Sequence, residues 1–251
     1  MTESMRMWVE IAFNVTYLLV VWGFVVAMLR RQTALPLEKR TVTRLFILAF
    51  GLLALGDTGH VGFRVWAYAL DGLDTQFALG GLKIGLVGLG ALSTAITVTF
   101  FYVLVLLIWR RRFDKSLDWF AHLLMIAALV RLVVMAFPQN EWNSSVPPWT
   151  WSMIRNVPLI VQGLGVAYLI IRDARNARDR TFTLVGAMIL VSYAFYTPVI
   201  LFVQRVPMIG MFMIPKTMAY VAIAWLAFAN LFPQKGACQW TQTQPVKIRK
   251  K

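Results

Sequence analysis

Charge is what this chain has least of. Only 14% of its 251 residues are Asp, Glu, Lys or Arg, while 59% are hydrophobic. Soluble domains carry about a quarter charged and 45–50% apolar residues, so a soluble globular fold is excluded. A single cysteine, Cys238, excludes a disulfide framework. Two histidines, His60 and His122, are too few for a multi-histidine metal cage, and no metal site is expected. Apolar runs that alternate with period two are missing as well. That excludes a transmembrane barrel and leaves helices as the structures able to cross lipid.

What the chain does have is long apolar runs. Seven are legible: Trp8–Leu29, Thr43–Tyr68, Leu89–Trp109, Leu117–Phe137, Trp151–Ile171, Thr181–Val203 and Met208–Phe232. Seven spans of roughly 20 residues call for about 140 apolar positions, close to what this composition supplies. The expectation is an all-α membrane protein, a seven-transmembrane-helix bundle over residues 1–232 with a basic, mobile tail over 233–251. The first run is expected to stay in place as a span, because Arg30-Arg31 follow it where a cleavable signal would show small residues.

The basic residues orient the bundle. Five follow run one (Arg30, Arg31, Lys39, Arg40, Arg44), and four follow run three (Arg110, Arg111, Arg112, Lys115). Four more follow run five (Arg172, Arg175, Arg178, Arg180), and five lie in the tail (Lys235, Lys247, Arg249, Lys250, Lys251). Eighteen of the 25 Lys and Arg thus share one side. The positive-inside rule makes that side cytoplasmic, with the N-terminus outside and the C-terminus inside. The expected location is the plasma (inner) membrane of a bacterium, as a multi-pass protein. The net charge of +14 is then a topology signal and no nucleic-acid partner is expected. The inner loops can also hold anionic lipid, at about 1 kcal/mol per basic residue near the surface.

Loops and local motifs add less. Connections are expected to be short except for Pro138–Thr150, where Pro147-Pro148 stand among Trp142, Trp149 and Trp151. The glycines Gly80, Gly81, Gly85, Gly88 and Gly90 match no phosphate loop and read as close-packing positions. Pro158, Pro198 and Pro215 are expected to interrupt the hydrogen bonding of runs five, six and seven. Asn14-Val15, Gly23 and Arg30 recur at Asn156-Val157, Gly165 and Arg172, a weak sign of a 3+1+3 parallel repeat.

Seven cations escape the basic side, and several sit deep. At 1.5 Å per residue from the cytoplasmic helix ends, Asp57 lies about 20 Å, Arg131 about 21 Å, His60 and Lys216 about 24 Å and Arg155 about 25 Å into the bilayer. Asn14 and Thr94 reach roughly 22 Å and Thr197 about 24 Å by the same count. These residues form a candidate ligand-binding layer, with Glu10 and Arg64 at its rim. Arg64, Lys83 and Arg155 can also be read as snorkelling to headgroups. Asp57 is too short to snorkel and needs a partner, which His60 at i+3 could supply. A further expectation is that Asp57, Arg131 and Lys216 act as one electrostatic unit.

Two phrases carry a resemblance: Gly56-Asp57-Thr58-Gly59-His60 with Arg64, and Pro215-Lys216-Thr217-Met218-Ala219-Tyr220. The chain resembles a group of bacterial seven-helix membrane proteins with a G-D-x-x-H…R second helix and a P-K-T-x-A-Y last helix. That resemblance implies the fold and no activity. Microbial rhodopsins are similar in helix number and in a last-helix lysine. Leu89–Trp109 has no carboxylate, however, so retinal on Lys216 is not expected, nor is any other cofactor. Three functions suit an outward-facing, net-positive pocket. The first choice is a carrier or permease-like protein for a small anionic or zwitterionic solute. The alternatives are a receptor or sensor acting through a partner, and an intramembrane lipid-processing enzyme with Asp57 and His60 as base and acid.

Overall fold

Backbone N–H and C=O groups buried in an apolar run have only each other to bond, so each run closes into a helix. The computed structural model describes residues 3–70, 72–79 and 82–232; the side chains of residues 3–7, 10, 77–79 and 82–84 fall outside that description. The expected tail, 233–251, lies outside it too. Seven α-helices occur among the described residues: α1 (Glu3–Arg31), α2 (Leu37–Leu70), α3 (Leu86–Arg112), α4 (Trp119–Met135), α5 (Trp149–Asn176), α6 (Arg180–Phe202) and α7 (Met213–Leu231). Six segments are long and apolar enough to cross a membrane: 11–34, α2, α3, α5, α6 and 207–231.

The exception is α4, which has 17 residues against the 21 of its apolar run. Both ends are cut by local chemistry. Asp118 caps the start, its Oδ1 accepting from the Ala121 N–H at 2.8 Å, and a 3-10 turn from Pro138 follows the end.

The basic end is built from tight helix connections. Arg178 takes a left-handed φ of 55° just past α5. The Asp179 N–H then reaches back to the Ala174 carbonyl at 2.8 Å and the Arg178 N–H to Arg175 at 3.1 Å. Asp179 at once caps α6, its Oδ1 accepting from the Phe182 N–H at 3.1 Å. Its Oδ2 takes two bonds from Arg112 at the end of α3, at 2.7 and 3.0 Å. One aspartate therefore starts a helix and ties two connections together.

At the opposite end the structure departs from the all-helical expectation. Gln76–Leu79 (β1) and Leu82–Gly85 (β2) pair antiparallel, from Gln76↔Gly85 to Leu79↔Leu82. The α2–α3 connection, residues 71–85, is thus more structured than its composition suggests. A four-residue strand is too short for period-two alternation to stand out. Another departure concerns Pro215. It sits in the first turn of α7, where its missing N–H costs nothing, after a 3-10 stretch over Pro207–Phe212. Pro158 and Pro198 do lie inside α5 and α6.

Helices pack with their chain neighbours, and α1 meets α7 to close the ring; α3 touches α2, α4 and α5. The centre is aromatic: Phe46, Phe50, Phe101, Tyr102 and Phe182 are all buried. Rings meet edge-on along it, Phe46 to Phe182 at 6.0 Å, Phe50 to Phe101 at 5.6 Å and Phe101 to Tyr102 at 5.2 Å between centroids.

Candidate functional site

The site begins with a close helix crossing. A Cβ on Gly56 of α2 would collide with the Thr97 side chain of α3, and one on Gly59 would lie 2.6 Å from Ser93 Oγ. From the other helix, a Cβ on Gly90 would lie 3.0 Å from the His60 backbone. Only glycine at these positions lets α2 and α3 approach so closely. The approach delivers the Thr94 hydroxyl to the next residue along α2. Thr94 donates to the Gly56 carbonyl at 3.1 Å and lies 3.5 Å from Asp57 Oδ1. From α1, the Tyr17 hydroxyl donates to Asp57 Oδ2 at 2.7 Å. Asp57 Oδ2 therefore has a neutral hydroxyl donor from α1, while Oδ1 shares the single Thr94 hydrogen with the nearer Gly56 carbonyl.

Lys216, in the first turn of α7, is the cation that acts on Asp57 electrostatically. Among the described residues it forms no direct ion pair with Asp57. Its ammonium rests instead over the Tyr196 ring of α6, 4.1 Å from the centroid, and 6.0 Å from that of Tyr220. Asp57, Thr94, Tyr196 and Lys216 are each half-buried although they face neighbouring helices. Five helices, α1, α2, α3, α6 and α7, thus contribute to one polar group, with an acid on α2 and a base on α7.

The expected partnership of His60 with Asp57 does not form. His60 Nδ1 is buried without a hydrogen-bond partner, and the charges that act on the ring are those of Arg64 and Lys216. An i+3 spacing places two residues on one face without turning both side chains the same way. Asn14 and Arg64 are brought together elsewhere, lining a narrow cavity between α1 and α2 with Ile11, Val61, Val65 and Tyr68. Thr197 is half-buried on α6 and makes no side-chain hydrogen bond among the described residues. The side chain of Glu10 lies outside the described ones.

Arg131 and Arg155 form a separate, closed cluster. Arg131 is 2% exposed; its Nη1 donates to Thr99 Oγ1 at 2.7 Å and its Nε to the Arg155 carbonyl at 3.0 Å. Arg155 donates to Asn140 Oδ1 at 3.2 Å and stacks 4.5 Å over the Trp142 ring. Trp142 Nε1 in turn donates to the Met135 carbonyl at 2.9 Å. These bonds clamp α3, α4 and α5 to the connection after α4. None runs to Asp57 or Lys216, so the three expected partners are not in hydrogen-bond contact.

Tyrosines occupy the space between the two clusters. The Tyr102 and Tyr220 hydroxyls share a hydrogen bond at 2.7 Å, and Tyr193 donates to the Leu159 carbonyl at 2.9 Å. The charges of Arg131 and of Lys216 both act on this group. Reasoning from depth alone passes over tyrosine, because its apolar body makes it read as core. Helix spacing would have found two of these residues: Tyr220 is one turn from Lys216, and Tyr17 one turn from Asn14.

Opposite charges in one polar group, each held by neutral groups and neither paired directly with the other, can accept a molecule that carries both charges. At the basic end Asp173 closes the bundle, accepting from Trp109 Nε1 at 2.9 Å and pairing with Arg172 at 2.9 Å and Lys115 at 3.7 Å. The chain matches no protein-family model, no curated protein and no solved structure.

Proposed function

We propose that the protein is a carrier of a small zwitterionic solute in the plasma membrane of a bacterium, with seven spans, its N-terminus outside and its basic loops in the cytoplasm. The observation that carries this reading is the pair Asp57 and Lys216, brought into one polar group of five helices without a direct ion pair. An ammonium group would sit at Asp57 and an acid group at Lys216. Because the group holds an acid as well as a cation, a zwitterion suits it better than a simple anion does. On this reading α4 completes the crossing despite its length: 17 residues span about 25 Å, and a bilayer thins locally around a short helix at modest cost. The 3+1+3 parallel repeat belongs to this reading, and the two motif helices, α2 and α7, supply the two charges.

The test is ligand-dependent melting of the purified protein, followed by exchange of radiolabelled solute in liposomes. The probes are glycine, L-alanine, L-glutamine and phosphoethanolamine, with acetate, phosphate and ethylamine as single-charge controls. A zwitterion should raise the melting temperature and exchange across the membrane, and both Asp57→Asn and Lys216→Met should abolish the effect. Equal stabilisation by acetate or phosphate, unchanged in Asp57→Asn, would overturn the assignment. Binding without exchange would favour a receptor, and turnover of a lipid headgroup an enzyme.

A further inference from the structure

We propose that Asp57 carries a proton before solute binds and gives it up when the solute's ammonium group arrives, which makes the carrier a proton-exchanging one. The exchange balances as written. The Asp57 carboxylic acid loses its O–H proton to water, and the carboxylate so formed pairs with the incoming ammonium. Net charge at the site falls by one, from the single positive charge of Lys216 to zero, and the proton released carries the difference.

The argument starts from what surrounds the carboxyl. From α1 it meets the Tyr17 hydroxyl, and from α3 the Thr94 hydroxyl. From α7 it meets the field of Lys216, whose ammonium is engaged over Tyr196 of α6. Along its own helix the titratable and charged neighbours are His60 and Arg64, and neither bonds to it among the described residues. Among the described residues no guanidinium or ammonium group lies in direct contact with the carboxyl to hold it in its ionised form. A carboxylate at this depth without a contacting cation is costly, and taking up a proton removes that cost.

The hydroxyl partners suit such a change. A hydroxyl donates to a carboxylate and, after rotating, accepts from a carboxylic acid. Tyr17 can therefore serve Asp57 in both states without moving its oxygen. Thr94 has the Gly56 carbonyl as a second acceptor at 3.1 Å, nearer than Asp57 Oδ1 at 3.5 Å, so it too stays bonded when the acid forms. Arginine at either position could not do this, because it only donates. The described oxygens gathered here are the two of Asp57, the hydroxyls of Thr94 and Tyr17 and the Gly56 carbonyl, so a small cation is the competing occupant, and the sodium arm of the experiment tells the two apart.

The proposal rests on the solute reading only for the group that displaces the proton. Its first experiment needs no solute. Infrared difference spectra of the full protein in lipid nanodiscs, taken across a pH titration, should show a carboxylic acid carbonyl band at neutral pH that vanishes in Asp57→Asn. If that variant does not fold, Tyr17→Phe should retain the band at a shifted frequency, because one hydrogen bond to the acid is gone. Absence of an Asp57-dependent band, a band unmoved by Tyr17→Phe, or removal of the band by sodium at constant pH would each overturn the proposal. The second experiment adds methylammonium to weakly buffered protein and follows a pH dye. Native protein should release on the order of one proton per chain at saturation, and Asp57→Asn none. Failure of every zwitterion to bind would sink the carrier reading while leaving the infrared result to decide this one.

Discussion

The contact between α2 and α3 can be tested by a single methyl group. In Gly56→Ala the new Cβ would overlap the Thr97 side chain, with even the Thr97 Cβ only 2.8 Å away. No rotamer of alanine avoids this, so the two helices must part. Overpacking of this kind costs about 1–3 kcal/mol. For a chain of about 250 residues that lowers the melting temperature by roughly 2–12 °C, at 2–4 °C per kcal/mol. The same helix provides controls. Gly51 and Gly62 have nothing within 4 Å of an added Cβ, so alanine there gains helix propensity, up to about 1 kcal/mol, with no clash. Thr97→Ala alone should cost little, because its hydroxyl bonds back to Ser93 and Thr94 of its own helix. Combined with Gly56→Ala it should recover part of the loss, because the Oγ1 overlap goes while the two Cβ atoms still crowd each other, and the coupling should show in a double-mutant cycle. The assay is thermal melting in one detergent, followed by the solute-binding measurement, since parting the helices also pulls Thr94 away from Asp57. Gly56→Ala melting no lower than Gly51→Ala, or additive effects with Thr97→Ala, would refute the close crossing and the site geometry built on it.

Three further outcomes are expected. Trp109→Phe should destabilise by about 1.5–3 kcal/mol, since a buried hydrogen bond to the charged Asp173 is lost, and melting should show it. Tyr102→Phe and Tyr220→Phe should each cost about 1 kcal/mol, and together clearly less than the sum, because one shared hydroxyl bond is removed either way. Additive losses would mean the hydroxyls do not meet. Arg155→Lys should keep the charge but lose the Asn140 bond and the stacking on Trp142. Hydrogen exchange should then quicken in residues 136–146 with little change in α6; unchanged protection there would remove Arg155 from the clamp.

Hydropathy alone determined most of the architecture. A run such as Leu89–Trp109 has one way to satisfy its backbone in lipid, so its helix follows from composition, and α3 indeed covers it with three residues to spare at each end. Single polar residues located the starts: Asp118 and Asp179 cap α4 and α6, which is a local effect. The residues of interest were also legible, because Asp57, Arg131 and Lys216 are expensive wherever lipid surrounds them. What depth could not supply was their grouping. Rise per residue measures height along a helix and says nothing of azimuth, so residues at one level can face different neighbours. The tertiary structure divided the layer, sending Arg131 to Thr99 and the Arg155 carbonyl and leaving Asp57 to Tyr17 and Thr94. That division depends on how far α2 and α3 interpenetrate, which is decided by Gly56 and Thr97 meeting across the interface. No one-dimensional pattern holds that information, because the two residues are 41 positions apart and act only through contact.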